Sequence, residues 1–479
     1  IAGFMQGHPL AIKLVAGQST RRSLAGIRDE LRRNPPKGVS DRFDVSYNGL
    51  VDSQKDLFSR LAVFFGSMDE NDIRSICLED DKQGQLNWES DLEELVRSSF
   101  LDRAEIAALD EKGNDVTLYR YRLHPLMRQY AAGKAGEELL ARLRPRAAEY
   151  FLEYAWHFKD NFDMLEWERD NILAGMDWAV GQQNSSLGES KKAASTQVLE
   201  FMSVLGGYLD TRGYWIEYRL RLQQAITAAE MLEDGKEKAG WANSLGFLLL
   251  RTGKLEEARN LYQKSLEINK DLGDRSDVAR SLHNMGMLAQ HNGEYYEARN
   301  LYQKSLEINK DLGNMSGMAC SLFSLGTLAQ DIGEYDEARQ LYQQSLKIDQ
   351  EIGDKNGVAT SLQCLGMLAE DTSEYNNAGK LYKQSSEIFQ ELGDKSGEGK
   401  SLHNLGNLAR NTGNYDEARR LYMNSIKISQ DLGEKSDISI LLHQMGTLAQ
   451  ETEQYDEARN LYQQSLEIKQ QLCDKSGTA

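Results

Sequence analysis

The chain has 479 residues, with 56 Lys and Arg against 74 Asp and Glu, a formal net charge of −18 and 40% hydrophobic residues. Its regular apolar periodicity argues against disorder, and no apolar run is long enough to span a bilayer as a helix, nor does a signal-peptide pattern occur. The charge is uneven, since residues 1–150 carry a net −2 and residues 151–479 a net −16; an acidic array disfavours phosphate-backbone binding and suits basic or neutral polypeptide partners.

Residues 1–37 read as the end of a helical subdomain. Gly7-His8-Pro9-Leu10 opens an apolar helix, with the fixed φ of proline suited to a first turn, and a more basic helix over 23–33 ends at Pro35-Pro36. Residues 38–135 have the mixed pattern of a small winged-helix domain. An amphipathic helix over 53–63 carries Leu57, Phe58, Leu61 and Ala62 on one face, helices follow at 70–77 and 90–99, and strands at 100–103 and 116–123 flank a polar wing. His124-Pro125-Leu126 opens a final helix through Ala132. Residues 136–198 read as a helical linker domain with Trp167, Ile172 and Trp178 in its core and a Ser- and Gly-rich polar connection over 182–192.

From residue 199 onward one pattern returns at a period of 40 residues. Gly246, Gly286, Gly326, Gly366, Gly406 and Gly446 share one phase, and so do Ala258, Ala298, Ala338, Ala378, Ala418 and Ala458. A Leu-Tyr pair follows each of those alanines, from Leu261-Tyr262 to Leu461-Tyr462. A fixed period of this length predicts a solenoid, in which each unit buries its apolar face against its neighbours. The units are a divergent 199–238, then 239–278, 279–318, 319–358, 359–398, 399–438 and 439–478. Each reads as two helices. In the copy from Ala279 the first spans 277–291 with Ser276 as its cap, Asn292-Gly293 breaks it, and the second spans 295–312 and stops at Gly313. Gly286, Ala298 and Ser305 are placed where two helix backbones come closest. The chain is therefore expected to be mainly α, an α-solenoid of about seven 40-residue hairpins preceded by a winged-helix domain and a helical linker domain.

The repeat resembles the tetratricopeptide repeat. Counting from Ala279, Leu282, Gly286, Gly293, Tyr295, Ala298, Tyr302 and Ser305 fall where that family places its large apolar, Gly, Tyr, Ala, aromatic and small residues. The usual Pro near the end of the second helix is missing; Lys310 continues the helix, and the copies are longer than the common form. Three further landmarks occur in order: Gly7-His8-Pro9-Leu10; then Ser46-Tyr47, Leu50, Leu57-Phe58 and Leu61-Ala62-Val63-Phe64; then Tyr121-Arg122-Leu123-His124-Pro125-Leu126 with Tyr130-Ala131. Together they resemble the segment that follows the nucleotide-binding core in STAND-class (NB-ARC/AP-ATPase-like) signalling NTPases. The resemblance implies that Pro9 packs near the adenine and that His124 reaches the β-phosphate of ADP; Leu123 and Pro125 stand where the plant motif has Met and Asp. ADP or ATP with Mg is then expected in a longer protein, held with an upstream nucleotide-binding domain. The ends fit that expectation, because the chain opens on Ile1 inside an apolar segment, and Asp474-Lys475-Ser476 repeats the lead-in to another first helix.

No G-x-x-x-x-G-K-[S/T] loop occurs, so the chain by itself is not expected to hydrolyse ATP. The histidines have no metal-ligand spacing, no nucleophile elbow is present, and the cysteines at 77, 320, 364 and 473 have no metal or disulfide spacing, which fits a reducing cytoplasm. The first helices of such a solenoid line its concave side, and there the residues that change between copies are candidates for recognition. Three before, two before, one after and four after the repeat glycine these are His283, Asn284, Met287 and Gln290; Phe323, Ser324, Thr327 and Gln330; Gln363, Cys364, Met367 and Glu370; His403, Asn404, Asn407 and Arg410; His443, Gln444, Thr447 and Gln450. Amides both donate and accept toward a peptide backbone, and Met287, Phe323 and Met367 offer an adaptable apolar floor. The expected partner is a protein or peptide trigger, or a small inducer, whose capture is coupled by the winged helix to the nucleotide state, with ligand-induced oligomerisation of the longer protein as a corollary. The alternatives are a winged-helix transcriptional regulator, for which Arg21, Arg22, Arg28, Arg32 and Arg33 offer limited basic surface, and a passive scaffold or self-assembly module.

Overall fold

Twenty helices and one three-stranded sheet make up the described residues of the computed structural model, which are Lys13 and residues 39–78, 87–109, 115–432 and 434–477. The helices read over residues 1–37, with Pro9, lie outside them. Two units are distinguished, residues 1–234 and 235–479.

In the first unit α1 (Val39–Tyr47) and α2 (Asp52–Arg60) are followed by a 3-10 turn at Leu61–Val63, β1 (Ser67–Met68), α3 (Glu70–Cys77), α4 (Trp88–Arg97), β2 (Asp102–Leu109) and β3 (Asp115–Arg122). The sheet is antiparallel in the order β1-β3-β2, with Ser67 opposite Arg122 and Asp102 opposite the same Arg122. β2 starts and ends later than the sequence suggests, since its alternation over Arg103-Ala104-Glu105-Ile106 is lost in Ala107-Ala108-Leu109, and β1, with two residues, carries no pattern in the sequence. Phe58, Leu61, Phe100, Tyr121 and Met127 form the core here, with Phe58 edge-on to Phe100 at 5.1 Å.

Four long helices complete the unit: α5 (Pro125–His157), bent at Gly136 where φ is +73°, α6 (Phe162–Ser185), α7 (Gly188–Thr211) and α8 (Trp215–Met231). The connection expected over 182–192 shrinks to Ser186 and Leu187, because its polar residues are compatible with helix and only Gly188, at φ +58°, needs the left-handed turn. On α6 the inner face is Leu165, Glu168, Asn171, Ile172, Gly175 and Met176. Trp167 is 38% exposed, contrary to its expected core place, since helical periodicity gives the inward positions beside it to Glu168 and Asn171. Asn171 earns its burial through four bonds: its Oδ1 accepts from the N–H groups of Phe65 and Gly66, each at 2.8 Å, and its Nδ2 donates to the Ser67 carbonyl and to Glu168, each at 2.7 Å. Arg120 on β3 donates to Glu168 and to the hydroxyl and carbonyl of Ser67. A polar cluster thus ties α6 to the sheet.

The second unit is six antiparallel hairpins: α9 (Gly235–Arg251) with α10 (Leu255–Asp271), α11 (Arg275–His291) with α12 (Tyr295–Leu312), α13 (Met315–Asp331) with α14 (Tyr335–Ile352), α15 (Lys355–Asp371) with α16 (Tyr375–Leu392), α17 (Lys395–Asn411) with α18 (Tyr415–Leu432), and α19 (Lys435–Glu451) with α20 (Tyr455–Gly477). The divergent copy belongs to the first unit as α7 and α8. First helices start where Asp274, Asn314, Asp354 and Asp394 accept the N–H of the residue three further on. The cap is therefore Asp274 rather than Ser276, whose position is already inside the helix. Second helices end as read, with Gly313 in the left-handed region at φ +65°.

The repeat glycine has a more specific reason than close backbones. A Cβ on Gly286 would stand 2.6 Å from the ring of Tyr302, and the same collision recurs at Gly246, Gly326, Gly366, Gly406 and Gly446 with the tyrosine of each hairpin. Those rings are buried flat against the bare first helix, and Tyr262, Tyr302, Tyr342, Tyr382 and Tyr422 are among the largest fully buried side chains. Ser305 does mark a close backbone approach: its hydroxyl donates to the Ala279 carbonyl at 2.8 Å, and Ser265, Ser345, Ser385, Ser425 and Ser465 repeat the bond to the carbonyls of Ala239, Ala319, Ala359, Gly399 and Ser439.

Candidate functional site

The first-helix residues singled out above sit around those tyrosines. Three positions before the glycine, the rings of His283, Phe323, His403 and His443 lie over Tyr302, Tyr342, Tyr422 and Tyr462 at centroid distances of 5.4, 5.5, 6.1 and 5.1 Å. Burial against the tyrosine disfavours the charged imidazole: His283 is pushed down to about 4, and His403 is lowered chiefly by burial, with Arg410 adding to the effect and Asp437 opposing it. His283 Nδ1, His403 Nε2 and the Gln363 amide nitrogen in the same position are buried without a hydrogen-bond partner among the described residues.

Four positions after the glycine the side chains are structural rungs. Gln290 accepts from the Tyr302 hydroxyl at 2.8 Å and donates to Asp331 of the next hairpin at 2.7 Å; Gln330 does the same with Tyr342 at 2.9 Å and Asp371 at 2.7 Å. Glu370 accepts from Tyr382 at 3.0 Å and from Asn411 at 2.7 Å, and Arg410 faces Glu451 at 3.6 Å. Gln450 takes the Tyr462 hydroxyl at 3.1 Å. The partners Asp331, Asp371, Asn411 and Glu451 were missed in the sequence; the signal was a polar pair recurring 41 residues apart.

The other two positions divide. Asn407 accepts from Tyr422 at 2.7 Å and Thr447 lies 3.2 Å from the Tyr462 hydroxyl. Ser324 is buried, and burial lifts the Cys364 thiol to about 12; Phe323 and Cys364 pack into one apolar cluster with Tyr342 and Leu365. Met287 packs against the cluster of Tyr302 and Leu322, whereas Met367 is 43% exposed. Asn284, Asn404 and Gln444 are half-buried and, among the described residues, take no hydrogen bond within the chain. The structure thus leaves amide groups with unused donors and acceptors on α17 and α19, which are neighbouring first helices, and on α11, with the buried Ser324 and the half-buried Cys364 at the same position of α13 and α15 between them.

In the first unit His124 is exposed and caps α5, its Nδ1 accepting the Leu126 N–H at 3.2 Å, which leaves Nε2 as the outward nitrogen. Among the described residues no group of three or more His, Cys, Asp or Glu could hold a metal ion, and no helix is long and apolar enough to cross a membrane.

A family model for the tetratricopeptide repeat matches residues 237–311, 277–351, 317–391 and 397–471, so this stretch is a tetratricopeptide repeat array. A protein of Mycobacterium tuberculosis named as an HTH-type transcriptional regulator is 26% identical over 215 residues, 40% of this chain and 23% of its own length; the chain thus spans about a quarter of the curated relatives it matches. Among solved structures, a Signal Transduction ATPase with Numerous Domains (STAND) protein with a tetratricopeptide repeat sensor from Pyrococcus horikoshii is similar at TM-score 0.44 and 16% identity, over 99% of this chain and 69% of that one. A Rap protein complexed with competence and sporulation factor is similar at TM-score 0.45 and 14% identity, over 68% of this chain and 98% of that one.

Proposed function

We propose that the tetratricopeptide repeat array captures a protein or peptide trigger along its first helices. The observation that carries this is the set of unpartnered amides, Asn404 and Gln444 on neighbouring first helices and Asn284 three hairpins earlier, set between packing positions that recur from hairpin to hairpin. An extended peptide presents alternating N–H and C=O groups, and an amide side chain meets either one. Tetratricopeptide repeat arrays bind proteins and peptides, which supports the same reading. Panning a random-peptide library on the whole chain is expected to select binders that a variant with Asn284, Phe323 and Asn404 all changed to Ala no longer holds, at an unchanged helical circular dichroism signal. Equal binding by that variant rejects the site.

In a longer STAND-type NTPase the array would act as the sensor and the segment around β1, β2 and β3 as the coupler. His124 fits a phosphate contact in two respects: it is exposed, and its free nitrogen stands at the start of a helix. ADP or ATP would supply the energetic difference between resting and active states, and the trigger shifts that balance only by preferring one of them. The relatives named as HTH-type regulators favour a second reading, in which the first unit binds DNA. Salt-dependent duplex binding by the chain distinguishes it from the first.

A further inference from the structure

We propose that the fifth hairpin of the array, α17 with α18, carries a second site, for a small zwitterion with an aliphatic side chain, in the class of the aliphatic α-amino acids. It shares no residue with the amide set.

The starting point is Glu398. At this repeat position four other hairpins have the apolar residues Val278, Met318, Val358 and Ile438, whereas Glu398 is a carboxylate only 9% exposed, between Gly397 and Gly399. Its charge is met by Gln390 and by Lys395, each donating at 2.8 Å. That second bond changes the hairpin. In α11–α12 the cation that opens the first helix reaches the acid at the end of the second, Arg275 to Asp311 at 2.7 Å, and in α15–α16 Lys355 reaches Glu391 at 3.1 Å. The corresponding pair here is Lys395 and Asp431. Glu398 draws Lys395 away, the clasp is not made, and no apolar side chain fills the place of Val278 or Val358.

Glu398 and Lys395 border a pocket of about 490 Å³, within the size range of small-molecule sites. Its apolar lining is Leu402, Ile428 and Leu432. Lys427 and Asp431 also line it with Lys395; among the described residues neither Lys427 nor Asp431 has a hydrogen-bond or ion-pair partner, although the charge of Asp431 is felt by Lys395 through space. They stand one helical turn apart on α18, with Cβ atoms about 6 Å from each other. An α-amino acid matches this set. Its carboxylate pairs with Lys427, its ammonium with Asp431, and its side chain covers Ile428 and Leu432 between them. A ligand with only one charge leaves the other rim group unmet, and glycine leaves the apolar wall wet.

The test uses the whole chain with L-leucine as the probe, by isothermal titration and thermal shift at millimolar concentration. Leucine is expected to bind, with leucinamide, N-acetyl-leucine and glycine each weaker by about tenfold or more, the size of one lost charge-assisted contact. Glu398→Val restores the neighbouring hairpins' residue and frees Lys395 for Asp431, so it is expected to abolish leucine binding at unchanged helical signal. Lys427→Ala, a surface change, gives the same loss by an independent route. Absence of leucine binding by the unaltered chain, equal binding of N-acetyl-leucine and leucinamide, or binding that survives both substitutions overturns the proposal. None of these outcomes bears on peptide capture, which is read from the amide variant alone.

Discussion

Residues 1–234 gather charge in their interior, while residues 235–479 repeat a neutral bond. In the first unit Arg120, Glu168 and Asp72 are all nearly inaccessible, with Asn171 and Tyr150 completing the cluster. In the second the recurring interior bond is a serine hydroxyl on a backbone carbonyl, and the ion pairs that recur between hairpins are outside: Arg259 with Glu294, Arg299 with Glu334 and Glu337, Arg339 with Glu374, Arg419 with Glu457. A unique joint tolerates a costly buried charge because its one partner is fixed, and losing that partner strands the charge. A repeated joint distributes its stability over many weak, equivalent contacts. The lesson is that a joint made once and a joint made six times differ in how much any one residue matters.

The contrast is broken most directly at Arg120. Arg120→Ala leaves Glu168 and Asp72 buried without their cation and is expected to cost about 3–5 kcal/mol in urea unfolding, whereas Arg120→Met with Glu168→Leu recovers much of the loss. A cost no larger than that of a surface pair would erase the distinction. Acid sharpens it next. The folded-state value of His283, about 4 against an ordinary 6.5, means that its stability contribution is complete above pH 6.5 and is lost as pH falls toward 4, on the order of 3 kcal/mol. His283→Phe, which copies Phe323 in the next hairpin, is expected to remove that acid sensitivity in urea titrations compared across this range. The first unit responds with the opposite sign. Burial raises Glu168 and Asp72, each further raised by a neighbouring carboxylate, so their ionisation weakens the folded state as pH rises above the ordinary carboxylate range. The smallest effect is expected at Arg299→Ala, under about 1 kcal/mol by thermal unfolding, since both of its pairs are half in solvent.

The repeated hairpin was readable because its cause is local and recurs. Gly286 against Tyr302 is written in residues of one hairpin and checked by five other copies, and the left-handed stop at Gly313 recurs at Gly353 and Gly393. The α6 clamp was not, because Glu168 and Asn171 look like ordinary exposed polar residues until β1 is brought to Asn171 from 104 residues earlier in the chain and β3 to Glu168 from 48 residues earlier. The candidate site shows the same division. Which positions vary around the repeat glycine could be counted in the sequence. That Gln290 and Gln330 are already held by Asp331 and Asp371, while Asn284 and Asn404 are not, depends on which turn of the neighbouring helix lies within reach.

The amino-acid order alone determined the period, the helix pairs and the small residues that let an aromatic ring lie on bare backbone, since each follows from side-chain size and spacing over a few turns. Tertiary structure decided which polar groups are satisfied. Hydrogen bonds between hairpins, and between α6 and the sheet, join residues whose separation in sequence has no periodicity of its own or one that only stacking reveals. The free amides on the first helices and the open space beside Glu398 are what remains once those bonds have been made.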